Sequence, residues 1–165
     1  MSGQTSYNYT MPKGIAGSLY DISPRAIDSR TNGEEQAGIM MYGMGAMQGE
    51  NPGSDVLVPK AGMTAEQFEG VIMTGFTNEM DMSGRLSLRP LETVGVLRWG
   101  RAWVRVAEGV TPAYGEDAFL ITAENADRGC FTNVSDSNLA VYGRFLGGLG
   151  TGNVAPVEIY NQKAE

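Results

Sequence analysis

The stretch LETVGVLRWGRAWVRVA, residues 91–107, has the strongest strand character in the chain and contains both tryptophans. β-Branched and aromatic side chains favour strands because they pack well on a pleated, half-buried surface. Residues of different kinds alternate along this stretch with a period of two. Gly100 breaks the run, which predicts two antiparallel strands, roughly residues 93–99 and 101–107, joined by a tight turn or bulge. In the alternative interpretation, one strand continues through Gly100 at a point where another backbone comes close.

The rest of the chain contains shorter runs of strand-forming residues that are separated by turn residues. Further strand candidates are residues 56–58, 71–74, 117–123, 130–134, 139–146 and 154–160. Thr64 and Gln67 fit a capping box, but the pattern leaves room for at most one helical turn before the next strand. Short strands at intervals of about 8–12 residues are typical of β-sandwiches and barrels. We therefore expect an all-β fold, a compact β-sandwich or β-barrel of jelly-roll or tulip-like form, with little helix.

The first 36 residues differ from the rest because they are polar, with apolar residues scattered in no helical period. We expect residues 1–36 to form an extended arm with short strands near residues 7–11 and 16–22, and residues 37–165 to form the β-rich domain. The arm has too few regularly spaced apolar residues for a core of its own. It has too many to leave in water without a cause, so residues 1–13 are predicted to pack on a neighbouring molecule. In the alternative interpretation, the arm covers the β-domain of the same chain.

The composition is that of a globular protein with an acidic surface. Of the 165 residues, 42% are hydrophobic and 19% are charged. The net charge of -7 argues against nucleic acid as a partner, because contacts with phosphates need a basic face. No run approaches the ~18 apolar residues of a membrane-spanning helix, so we expect no membrane association. The single cysteine, Cys130, excludes an internal disulfide.

The residue types that most catalytic sites need are missing. There is no histidine, which excludes Ser-His-Asp and Cys-His arrangements and imidazole ligands for a catalytic zinc. No Gly-Lys-Ser/Thr sequence is present, which excludes a Walker loop. We therefore expect no enzymatic activity, no cofactor and no bound metal. Three neighbouring acidic pairs leave a carboxylate enzyme as a remote alternative: Glu34 with Glu35, Glu79 with Asp81, and Glu116 with Asp117.

Arginines gather around the central stretch, while the rest of the chain is acidic. They are Arg85, Arg89, Arg98, Arg101 and Arg105, and only Glu92 opposes them inside that span. This bipolar layout suits docking through salt bridges with a partner or a sister subunit. In the alternative interpretation, each arginine covers apolar surface with its stem and keeps its charged head in water.

Three stretches, taken in order, resemble the structural cement, or capsid decoration, proteins of tailed bacteriophages. The first is GIAGSLYDISPRAIDSRTNGE followed by AGIMMYGMGAMQG, and the second is FEGVI at residues 68–72. The third is residues 94–106 followed by VTPAYGEDA, which departs from the family pattern by Ala-Tyr between Pro112 and Gly115. A similar tail follows, with GCFT, LAVYGRFL and VAPVEIYN.

The resemblance implies a structural virion protein that binds the outer surface of an icosahedral phage capsid and stabilises contacts between major capsid subunits. The implied partners are the major capsid protein and further copies of this chain, with a trimer favoured over a dimer. The residues predicted to contact the capsid or another copy are Tyr7, Tyr9, Ile15, Tyr20, Arg98, Arg101 and Arg105. The alternative function is a carbohydrate-binding β-sandwich module, in which Trp99 and Trp103 would stack on sugars.

Overall fold

The computed structural model describes residues 14–75 and 88–161 and contains nine strands in that part of the chain. They are β1 (Ala26–Asn32), β2 (Gly45–Gln48), β3 (Asp55–Leu57), β4 (Phe68–Met73), β5 (Thr93–Arg105), β6 (Asp117–Leu120), β7 (Phe131–Thr132), β8 (Leu139–Phe145) and β9 (Val154–Ile159). The described residues form no α-helix, only a 3-10 turn at Ala65–Gln67. The prediction of an all-β fold with little helix is confirmed.

The strands form a closed barrel with an extension, and β5 belongs to both parts. Strands β1, β3, β2, β4 and β5 follow one another in the sheet, and β5 returns to pair with β1. From β5 the sheet continues outward through β9, β8, β6 and β7. An isolated parallel bridge between Val106 and Phe131 then brings β7 back beside the end of β5. The longest of the nine described strands is therefore shared by the barrel and the extension.

Gly100 lies inside β5, so the predicted hairpin is wrong and the alternative of one continuous strand is confirmed. β5 runs unbroken for 13 residues. Gly100 has a φ of +129°, and a Cβ there would lie 2.8 Å from the Cβ of Arg25 and 3.4 Å from its Cα. The first half of β5 pairs with β1 and β4, and the second half pairs with β9. Because glycine has no side chain, the strand can pass close to the backbone of Arg25 at the point where its pairing partners change.

Two apolar clusters fill the structure, and β5 contributes to both. One includes Ile72 and Val96, which belong to strands of the closed barrel. The other includes Leu97, Val104 and Phe145 and extends beneath β8 and β9. Because these side chains are almost completely buried, the two clusters supply most of the apolar stabilisation of the fold.

The residues before β2 join the barrel through β1 and a segment that we call the strap, residues 14–24. β1 lies within the stretch expected to form an arm, and it pairs antiparallel with β5. The strand expected at residues 16–22 is wrong, because the strap makes only an isolated bridge between Leu19 and Ala102. The strand expected at residues 7–11 lies outside the described residues.

The single helical turn was correctly predicted from its capping residues. The backbone N–H of Thr64 donates to Oε1 of Gln67 at 2.9 Å, and the N–H of Gln67 donates to the carbonyl of Thr64 at 3.0 Å. The turn then ends at once, because Phe68 is already extended and begins β4.

Candidate contact surface

The strap lies along the second half of β5 and is fixed there by backbone hydrogen bonds. The N–H of Gly17 donates to the carbonyl of Trp103 at 2.7 Å, and the N–H of Trp103 donates to the carbonyl of Ser18 at 2.9 Å. The N–H of Tyr20 donates to the carbonyl of Arg101 at 3.1 Å. These bonds hold the strap in one position, so its side chains are presented on a rigid support.

The strap covers one tryptophan and exposes two isoleucines. The rings of Tyr20 and Trp103 pack with centroids 5.6 Å apart and planes tilted by 56°. Gly14 lies so close that a Cβ there would overlap the indole of Trp103. Ile15 is 71% exposed and Ile22 is 97% exposed. The strap therefore leaves large apolar side chains in water, while Trp103 is in contact with its own chain and is a poor platform for a sugar.

A row of four charged side chains crosses the strap, β5, β9 and β8. Asp21 lies 2.9 Å from Arg101, measured from carboxylate oxygen to guanidinium nitrogen. Arg101 lies 3.0 Å from Glu158, and Glu158 also lies 3.2 Å from Arg144. The register explains the row, because Arg101 and Arg144 are each the cross-strand partner of Glu158. We call Asp21, Arg101, Glu158 and Arg144 the charged row.

Hydrogen bonds within and beside the charged row favour the charged forms of Asp21, Arg101 and Arg144. The pKa of Asp21 is lowered, first by the hydroxyl and backbone N–H of Ser23 and further by Arg101. The pKa of Arg101 is raised by its hydrogen bonds to Asp21 and Glu158. The pKa of Arg144 is raised chiefly by its hydrogen bond to Glu158. Asp21 and the two arginines therefore stay charged at neutral pH.

The two other arginines predicted to make contacts have different surroundings. Arg98 is exposed and lies 3.5 Å from the carboxylate of Asp28, which also pairs with Arg30. Arg105 turns its Nε toward the carbonyl oxygen of Tyr42 at 2.8 Å. Both arginines thus have partners within the chain, and these partners are remote in sequence.

The structure brings together only part of the predicted contact set. Ile15, Tyr20 and Arg101 share the region of the strap, whereas Tyr7 and Tyr9 lie outside the described residues. Sequence reasoning missed the other three members of the charged row, although each is marked by a signal. Glu158 and Arg144 are the charged positions between buried neighbours of period-two strands, and Asp21 follows the strap's last aromatic residue.

No metal site or membrane span was found in the described residues. They contain no group of three or more histidine, cysteine, aspartate or glutamate side chains that could hold a metal ion. No helix in the same part of the chain is long and apolar enough to cross a membrane.

Comparison with known proteins defines the class. The sequence model of the family described as structural cement protein (E217 gp24/Pam3 gp6) matches residues 3–160. The chain belongs to this family, and the resemblance noted in the sequence is confirmed. It is a structural, non-enzymatic protein of the phage virion, located on the capsid.

A solved structure has the same fold. A chain from the structure titled "The capsid of Myoviridae Phage XM1" superimposes with a TM-score of 0.70 and 19% sequence identity. The alignment covers 98% of this chain and 99% of the XM1 chain. No curated protein sequence matches this chain.

Proposed function

We propose that this protein binds the outer surface of an icosahedral phage capsid and stabilises contacts between neighbouring major capsid subunits. The observation that carries the proposal is the match of the cement family to residues 3–160, nearly the whole chain. Each copy needs only a modest affinity, because many copies bound to a repeating lattice act together.

The strap supports this function because it has the properties of a contact surface. Ile15 and Ile22 are exposed apolar side chains on a backbone that is hydrogen-bonded to β5. Exposed aliphatic side chains are the kind of surface that a protein partner buries on binding. Presenting them on a fixed segment also reduces the conformational entropy lost on binding. We include Ile15, Tyr20 and Arg101 in the proposed contact with the capsid or with another copy, together with Tyr7, Tyr9, Arg98 and Arg105.

A cosedimentation assay with expanded capsids that lack the protein tests the proposal. The wild-type chain is expected to pellet with the capsids and to raise the temperature at which they disrupt. Failure of the wild-type chain to bind would contradict the function itself.

A double variant, Ile15→Ser with Ile22→Ser, tests the role of the strap. Burial of each large aliphatic side chain is worth roughly 1.5–3 kcal/mol, so the pair should weaken attachment at least about tenfold. Val134→Ser is the matched control, because Val134 is 47% exposed and lies outside the strap. Equal attachment of the double variant and the wild type would exclude the strap from the contact.

A further inference from the structure

Leu91 combines an unfavourable backbone conformation with an exposed apolar side chain. Its φ is +63°, in the left-handed region that bulky side chains rarely adopt. The side chain is 80% exposed to water. The other described residues with a positive φ, apart from glycines, are Ser137 and Asn153, and both are small and polar. Leu91 is therefore the one described residue in which backbone strain and an exposed large apolar side chain coincide.

The conformation of Leu91 is held by Asn32, which lies at the end of β1 and is completely buried. The N–H of Leu91 donates to the carbonyl of Asn32 at 2.9 Å, and the N–H of Asn32 donates to the carbonyl of Glu92 at 2.8 Å. The side-chain amide of Asn32 donates to the carbonyl of Arg89 at 2.9 Å. These bonds fix residues 89–92, which we call the Leu91 turn, so the leucine is presented on a rigid support.

A groove of about 410 Å³ begins beside the Leu91 turn, because the amide oxygen of Asn32 also accepts the backbone N–H of Glu34, which lines the groove. The lining includes two apolar and six charged side chains: Ile39, Leu57, Glu34, Glu35, Glu50, Glu124, Lys60 and Arg128. The two cations are paired with carboxylates of the groove. Glu35 and Glu50 are exposed and make no ion pair within the described part of the chain. The groove therefore complements a basic side chain whose aliphatic stem covers the apolar part.

The Leu91 turn and the strap lie at opposite ends of β5. The turn ends directly before Thr93, the first residue of β5, whereas the strap is hydrogen-bonded to Arg101 and Trp103. At about 3.3 Å per residue, the chain from Leu91 to Arg101 spans about 30 Å. Two contact elements this far apart on one rigid strand can reach two neighbouring molecules.

We propose that the Leu91 turn and its groove bind a second major capsid subunit, next to the one bound by the strap. This inference rests on the function proposed above, because a protein that stabilises contacts between neighbouring subunits holds two of them at once. Leu91 enters an apolar depression of the second subunit, and a lysine or arginine of that subunit enters the groove. Once the strap is bound, β5 keeps the turn at a high effective concentration near its own partner.

A partner explains why a leucine occupies this position. Glycine or asparagine would adopt the positive φ at a lower cost and would be better hydrated. Leucine gains free energy there only when another molecule removes its side chain from water. Strained residues that the surrounding structure holds in place are typical of sites that clamp a ligand. The fixed turn also loses little conformational entropy on binding.

Leu91→Asn tests the apolar contact, because asparagine removes the apolar side chain and suits the positive φ. The melting temperature of the variant should equal or exceed that of the wild type. Its attachment to expanded capsids in the cosedimentation assay should fall at least about tenfold. A leucine with only a structural role would give the opposite combination, a lower melting temperature with unchanged attachment. Ser137→Asn is the matched control, because it makes the same kind of change at another exposed position with a positive φ and should leave attachment unchanged.

Glu35→Lys tests the groove, because it places a positive charge where a basic side chain of the partner is expected. Attachment should weaken several-fold at low salt, and the remaining attachment should depend less on salt than that of the wild type. Asp136→Lys makes the same charge change at an exposed position outside the groove and should attach normally.

The wild-type chain separates this inference from the function on which it rests. If the wild type does not bind capsids, the proposed function is wrong, and the second contact with it. If the wild type binds, but Leu91→Asn and Glu35→Lys attach as tightly and raise the disruption temperature of the capsids as much, the function stands and the second contact is wrong. If the variants instead change the mass of the free protein in sedimentation equilibrium, the turn joins copies of this chain and the inference is also wrong. If Leu91→Asn does not fold, the result for Glu35→Lys decides.

Discussion

At the scale of single residues, the crossing at Gly100 is the sharpest constraint on the fold. Its φ of +129° lies in a region that side chains rarely adopt, and Arg25 leaves no room for a Cβ. We expect Gly100→Ala to lower the free energy of unfolding by about 1–3 kcal/mol, the usual cost of such backbone strain. Urea denaturation measures the change.

Gly95→Ala is the control for this prediction because it lies in the same strand. There a Cβ would meet Ile27 Cγ2 at 3.4 Å and Met73 Cβ at 3.7 Å, which are ordinary contacts, and the backbone has no positive φ. The Gly95 variant should therefore be much less affected than the Gly100 variant. Equal effects of the two substitutions would show that the crossing at Gly100 is not the cause.

Cys130 makes the free energy of unfolding depend on pH in the alkaline range. Burial of the thiol raises its pKa from the ordinary 9.0 to about 11, and the carboxylate of Asp127 adds to the shift. The folded state thus favours the neutral thiol, and its contribution to stability is complete below pH 9. It is lost as the pH rises toward 11, because unfolded chains release the proton first.

From these pKa values, we expect Cys130 to account for a loss of about 2 kcal/mol in the free energy of unfolding between pH 8 and pH 10.5. Urea titrations of the wild type and of Cys130→Ala at both pH values measure this loss. All other ionisable groups are the same in both proteins, so the difference between the two losses isolates the thiol. The same pH dependence in both proteins would contradict the assignment.

The limits of sequence reasoning are clearest at Arg101. The alternation of residues along the central stretch predicts that Arg101 lies on the polar face of its strand. The cluster of arginines around it indicates a contact residue. Its partners Asp21 and Glu158 are 80 and 57 residues away in sequence. Only the register of β9 against β5 and the path of the strap bring them together. Local patterns mark the separate charged positions, but which of them pair with one another was not predictable from those patterns.

At the scale of elements, period-two patterns located the strands well but did not give their connections. The predicted strands at residues 117–123, 139–146 and 154–160 contain β6, β8 and β9. Gly100 was misread because a glycine between two strand-like runs fits a hairpin and a crossing equally well. The difference depends on the backbone of Arg25, which packs above it. β1 was missed because AIDSRTN is mostly polar and contains only two residues of the types enriched in strands, Ile27 and Thr31.

Two N-terminal deletions, one that ends before the strap and one that includes it, distinguish an effect on capsid attachment from an effect on folding. Removal of residues 1–13 retains the hydrogen bonds that join Gly17, Ser18 and Tyr20 to β5. We expect this truncated protein to stay folded, with a melting temperature near that of the wild type, but to bind capsids more weakly. Ordering this segment costs about 1–2 kcal/mol per residue, and burial of Tyr7 and Tyr9 against a neighbour, at about 1.5–3 kcal/mol each, would offset part of that cost in the assembly.

Removal of residues 1–24 is the comparison, because it also deletes the strap. Each lost backbone hydrogen bond is worth about 1 kcal/mol, and Trp103 loses its contact with Tyr20. This longer deletion should lower the melting temperature as well as the attachment. Unfolding caused by the shorter deletion, or capsid binding as tight as that of the full chain, would contradict the role proposed for residues 1–13.

At the scale of the whole molecule, β5 couples the closed barrel to its extension. The strand pairs with β1, β4 and β9 and contributes side chains to both apolar clusters. Because both clusters depend on β5, exposing either cluster to water disrupts the strand pairing that supports the other. We therefore expect the two clusters to open together, because β5 is common to both.

This coupling predicts that the described barrel and extension unfold as one cooperative unit. Ile72→Ala truncates a buried side chain of the cluster that lies in the closed barrel, and Phe145→Ala truncates a buried side chain of the other cluster on β8, in the extension. Each should lower the free energy of unfolding by about 2–5 kcal/mol, the usual cost of a large-to-small change in a core. In both variants, far-ultraviolet circular dichroism and tryptophan fluorescence should report the same single transition, shifted to lower urea.

Val134→Ala, at an exposed position, serves as the control and should leave the midpoint nearly unchanged. Two separate transitions, with only one of them moved by each core variant, would show that the halves fold independently and that β5 does not couple them.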